Sequence, residues 1–163
     1  MGVRNCADIG ENLQKIISRL MDNQNLLKYL YYSDKDPLSN PDLTDEQIKK
    51  EIFEKIIKVT PRIGSKETAQ SLILVRCSQG SRLGANSEFK LINFIVEIYV
   101  PDTQWLIKGQ NLRPFAIMGE IQKSLDGKLI NGLGKLTGGD FQYNFSSEEM
   151  TCYFQNFEVI AYD

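Results

Sequence analysis

Apolar positions recur along this chain with two different periods, which separate a helical first third from a sheet-forming remainder. Ile9, Leu13, Ile16, Ile17, Leu20 and Met21 fall on one helix face, predicting an amphipathic helix over residues 8–21. Asp8 is its expected N-cap, with Glu11 at the reciprocal capping-box position. Asp22-Asn23-Gln24-Asn25 interrupts the pattern with poor helix formers. Residues 26–32 then predict a second short helix, rich in Leu and Tyr, whose apolar cluster must pack on the core or on a neighbour. Residues 33–43 read as a loop punctuated by Pro37 and Pro41. Thr44 and Gln47 form another capping pattern ahead of a third helical piece. Residues 56–59 fit either its continuation or a strand, because Thr60 precedes Pro61 and is pushed toward extended backbone.

After a turn at Pro61–Lys66 the period shortens to two. Ser71–Cys77 reads as a buried strand, and Ser78–Glu88 as a polar loop. Phe89–Val100 is the longest strand. In it Ile92, Phe94, Val96, Ile98 and Val100 alternate with a mixed set that includes Asn93, Glu97 and Tyr99. One wholly apolar face predicts a sheet with helices on one side. Pro101-Asp102 ends the strand, and a loop with the only Trp follows. Asn111 is the expected cap of a helix over 112–126, with Pro114 in its first turn and Ile117, Met118, Ile121 and Leu125 as its buried stripe. Glycine-rich residues 128–140 read as turns. Residues 141–145 and 150–162 predict an antiparallel pair joined through 146–149.

These elements make one domain over residues 1–163, helical in 1–60 and sheet-based in 61–163. The class is α+β, with an antiparallel or mixed sheet of about four to five strands packed against two main helices. The expected core includes Leu13, Ile17, Leu74, Phe94, Val96, Ile98, Ile117, Ile121 and Phe157.

Composition narrows function mostly by exclusion. With 163 residues and a net charge of −2, the chain is large enough for a real core and is not built as a nucleic-acid binder. Charge is unevenly spread, however. Residues 61–139 carry 10 basic and 6 acidic groups, whereas 140–163 carry five acids and no Lys or Arg. Such halves can meet across a subunit boundary, or the acids can simply guard a solvated edge strand. Cys6, Cys77 and Cys152 are odd in number and form no CxxC pair, so neither zinc nor a disulfide framework is expected. The first residues hold no apolar leader, and no run is long enough to cross a membrane.

The chain has no histidine, which removes Ser-His and Cys-His nucleophile pairs. Gly132-Leu133-Gly134-Lys135 fails as a phosphate loop because Leu136 stands where Ser or Thr must reach the metal. Glu148 and Glu149 are adjacent acids in a turn, a solvated arrangement. No catalytic residue, cofactor or metal is expected. Trp105 fits either an interface anchor or a lid over the sheet. Arg82 fits either a contact to a neighbour's carboxylates or an exposed hairpin tip. The expected interface residues are Arg82, Trp105, Lys108, Arg113, Asp140, Glu148 and Glu149.

The pattern as a whole resembles the tail terminator and tail-to-head joining (neck) proteins of tailed bacteriophages. Four stretches carry the likeness: the first amphipathic helix with LLKYLYYSDKDPLSNPDL, the strand FKLINFIVEIYVP followed by TQWLI, the helix entry NLRPFAIMGEIQKSLDGK, and the ending GGDFQYNFSSEEMTCYFQNFEVIAYD. The resemblance is one of element order and has no single signature motif. It implies a non-enzymatic α+β subunit, made in the host cytoplasm, that forms a ring, commonly a hexamer, in the virion at the head–tail junction. Its implied partners are copies of itself, the adjacent connector or neck proteins and the tail tube. DNA would pass through the lumen without specific binding. The alternative is a small cytoplasmic protein-binding module or inhibitor using Trp105 and the 78–88 loop.

Overall fold

The computed structural model describes residues 7–60, 69–84 and 88–162. The expected turn at Pro61–Lys66 and Cys6 lie outside them. In chain order the elements are α1 (Ala7–Met21), α2 (Gln24–Tyr31), α3 (Asp45–Gln47), β1 (Ile57–Lys58), β2 (Leu72–Arg82), β3 (Phe89–Pro101), β4 (Leu106–Ile107), β5 (Asn111–Leu112), α4 (Arg113–Leu125), β6 (Leu129–Ile130), β7 (Gly134–Lys135), β8 (Thr137–Ser146) and β9 (Met150–Tyr162). The main sheet runs β1-β2-β3-β9-β8. Every neighbouring pair is antiparallel except β1 with β2. The fold is α+β on a five-stranded mixed sheet, and within residues 56–59 only Ile57–Lys58 forms the short parallel strand.

Helices cover one face because only that face is continuously apolar. Ile92, Phe94, Val96, Ile98 and Val100 of β3 all point into a core that also takes Ile16, Ile17 and Leu20 of α1, Leu26, Leu27 and Leu30 of α2, and Ile117 and Ile121 of α4. Leu13 is half-buried against this core. Leu74 belongs instead to a small cluster on the opposite face, with Leu72, Tyr99, Met150 and Cys152.

Two caps differ from the expected ones. Asp8 lies inside the first turn of α1, where a carboxylate still favours the positive helix end. Leu112, not Asn111, precedes α4 and makes no side-chain cap, since Asn111 is held extended in β5 against Ile107. The Thr44–Gln47 capping box forms, with the Thr44 N–H donating to Gln47 Oε1 at 2.9 Å, and the chain then widens into a π-helical turn at Ile48–Ile52.

Of the tetrapeptide expected to interrupt the helices only Asp22 and Asn23 do so, and Gln24 and Asn25 already open α2. Asn23 caps α2, its Oδ1 accepting from the Leu26 N–H at 3.1 Å. Its Nδ2 reaches α4, donating to Ser124 Oγ at 2.9 Å and to the Glu120 carbonyl at 3.2 Å. The side chain thus ties α2 to α4, and the Asn23 backbone N–H donates to the Leu20 carbonyl of α1 at 3.1 Å.

Candidate functional site

The most solvated element is β8, the outer strand of the sheet. Of its ten residues only Gly139 is buried. β9 pairs with one side of it, and among the described residues no strand occupies the other. The strand begins earlier than the apolar pattern indicates because two glycines lie within it. Gly138 has φ +138° and Gly139 φ +107°, a region open mainly to glycine. A Cβ at Gly138 would come within 2.4 Å of the Asn156 carbonyl oxygen. One at Gly139 would press on the Gln122 side chain of α4 at 3.0 Å. The pair makes a bulge that lets α4 lie close over β8.

That approach builds a row of rings on the helix side of the edge. Phe141 and Tyr143 are 56% and 52% exposed. Phe115 of α4 lies 5.8 Å from Phe141 and 5.5 Å from Tyr153, centroid to centroid, and Tyr143 lies 5.7 Å from Tyr153. Trp105 continues the row at 6.4 Å from Tyr153. Two buried polar atoms nearby lack a hydrogen-bond partner among the described residues: Trp105 Nε1 and Gln155 Oε1. A second bulge after Tyr143 turns Phe145 to the opposite face, 6.2 Å from the Tyr99 ring.

The seven expected interface residues do not form one patch within the subunit. Trp105 is half-buried, and Lys108 is exposed and paired with Asp36 at 2.7 Å. Glu148 and Glu149 are exposed at the same end of the sheet, where the Glu149 carbonyl accepts from the Asp102 N–H at 3.1 Å. Asp140 is exposed on β8. Arg82 is exposed at the far corner, opposite Lys90. The polar segment expected as a loop over 78–88 is strand as far as Arg82, and residues 85–87 lie outside the description.

Arg113 corrects the reading of it as a surface cation. Its side chain is 0% exposed. It donates from Nε to the Gln104 carbonyl at 2.8 Å, from Nη1 to the carbonyls of Tyr29 and Tyr32 at 2.7 Å each, and from Nη2 to that of Asp34. It ties the start of α4 to the end of α2 and the loop that follows. The acceptors it needs are carbonyls freed by a helix end, a signal carried by no residue type.

The opposite face holds a buried carboxylate. Glu97 accepts from the Tyr99 hydroxyl at 2.7 Å and pairs with Arg76. Burial pushes the Tyr99 phenol up to about 12 and raises the Cys152 thiol beside it. A thiol shifted upward moves away from the thiolate character that nucleophilic cysteines need. Among the described residues no group of His, Cys, Asp and Glu is placed to hold a metal, and no helix is long and apolar enough to cross a membrane.

Comparison with known proteins gives one family. The YomW family model matches residues 23–159, from the cap of α2 through most of β9. YomW is a name of the phage SPβ-region type, which associates the family with phage. No curated protein matches the chain.

Proposed function

The chain belongs to the YomW family, and from that phage association we propose that it is a structural, non-enzymatic subunit of a tailed-phage virion. In this reading it forms a ring, hexameric as in the tail terminators it resembles, that closes the tail tube and joins it to the connector. The observation that supports it best is β8, a ten-residue open edge bearing exposed Phe141 and Tyr143. Soluble domains blunt long exposed edges, and one left open with aromatic rings on it asks for a partner. The acids at Asp140, Glu148 and Glu149 restrict which partner it takes. Half-buried Trp105 extends the same row and is assigned to contact with an adjacent neck or tube protein. DNA crosses the lumen unbound, since tight phosphate binding requires clustered Lys and Arg.

The test is immunogold labelling of purified virions with antibody to this chain. Label confined to the head–tail junction is expected. Absence from the virion, or label on the capsid or tail tip, overturns the assignment.

A further inference from the structure

We infer that the sheet continues from one copy of this chain into the next: β8 pairs antiparallel with the outer edge of β2, at Ser78–Arg82, of a neighbouring copy. This rests on the ring proposed above and specifies how its subunits meet. β1 is two residues long and covers β2 only at Ile73 and Leu74. Beyond it, among the described residues, no strand flanks Ser78–Arg82 on the side away from β3, and four of those five residues are exposed. Among the described residues the sheet therefore has two open edges, one at each side.

Strand direction favours joining them. From β2 through β3 and β9 to β8 each step is antiparallel, so the two outer strands run in opposite directions. Copies related by rotation about an axis along the sheet then meet antiparallel, and such head-to-tail contacts close into rings. Because β1 blocks the edge at Ile73 and Leu74, the incoming β8 must slide toward the Arg82 end. Strand tilt in a closed ring produces a stagger of this kind.

The side chains fit as well. Gly80 pairs with Ile92 of β3 and lies on the helix-covered face, where a Cβ would sit 3.7 Å from Ile92 Cδ1. Phe141 and Tyr143 share that face, in contact with Phe115 or Tyr153. With a period of two, either ring can lie over the bare backbone of Gly80, the arrangement by which aromatics stabilise edge glycines. The alternative, β8 against β8, places Asp140 of both copies on a seam where neither strand carries Lys or Arg.

Cysteine cross-linking tests this in a background of Cys6→Ser, Cys77→Ser and Cys152→Ala. Gly80→Cys is mixed with Phe141→Cys or with Tyr143→Cys, and the assembled protein is oxidised. A disulfide-linked product is expected in at least one mixture and in none of the variants alone. Cross-linking of Phe141→Cys or Tyr143→Cys alone overturns the inference in favour of like-with-like edges. No cross-link in any sample overturns it outright. Should the cysteine-free background not fold, a block at Gly80 in the native chain decides. Gly80→Arg, whose Cβ would sit 3.7 Å from Ile92 Cδ1, should keep its unfolding midpoint near wild type and lose the ring by light scattering. An unchanged ring in Gly80→Arg counts against the inference. Virion labelling is read separately, so protein present at the junction without these cross-links refutes the edge pairing and leaves the virion assignment standing.

Discussion

Arg113 heads the fully buried side chains by size, and every acceptor it uses is a backbone carbonyl. Replacing it with Met keeps the volume but strands those carbonyls in a dry site. The expected cost is about 3 kcal/mol, read as a lower urea midpoint, with Lys restoring only part because it lacks the planar fork. A loss within about 0.5 kcal/mol would mean the side chain behaves as a surface residue. Tyr99 gives a second expectation. Its phenol titrates near 10.0 when unfolded and about 12 when folded, because burial disfavours the phenolate. The folded pKa is the higher one, so the stability it contributes is intact below pH 10 and is lost as pH rises toward 12. Wild-type stability should therefore fall more steeply across that window than that of Tyr99→Phe, and equal slopes would refute the shift. At this scale the sequence was a weak guide. A basic residue in a basic segment reads as exposed, and nothing in the side-chain pattern announces that four carbonyls wait for it.

Elements were far more legible, wherever one face meets the core along its whole length. The alternation in β3 and the Ile117-Met118-Ile121-Leu125 stripe of α4 lead directly to the observed strand and helix, and all of the stripe is buried. Ile121 is 0% exposed at that contact, so Ile121→Ala should cost about 2–5 kcal/mol in chemical denaturation. A surface-like loss would mean the helix packs by another face. The elements that were misread are those whose pattern is not apolar. Ser78–Arg82 reads as a loop because it lies on an exposed strand end, where its pairing to β3 is backbone. Gly138 and Gly139 read as turns because glycine pairs usually are turns, but here positive φ makes a bulge inside β8. Gly138→Ala should destabilise the protein by more than about 1 kcal/mol, since the added Cβ meets the Asn156 carbonyl and the backbone angle is unfavourable for it. A neutral result would show that the bulge relaxes.

For the whole molecule, the question is whether the ring row on β8 serves the fold or the assembly. The two roles separate because Phe141 and Tyr143 keep more than half their surface in solvent, whereas half-buried Tyr153 between them and the core carries the packing. The acid–base partition between residues 61–139 and 140–163 was visible in the sequence, where it fitted either contact between copies or a guarded edge strand. The two open edges that could use it appear only once the strand order is known, because β2 and β8 are far apart in sequence and lie on opposite sides of the sheet. Replacing Phe141 and Tyr143 together with Ser should leave the unfolding midpoint near wild type, with losses within about 0.5 kcal/mol per site as for other exposed positions. The same double variant should fail to form rings and should be absent from virions when it replaces the native copy, because an interface loses most of its affinity with its central aromatic anchors. Retained assembly with a large loss of stability would reverse the assignment and make the row a lid on the core.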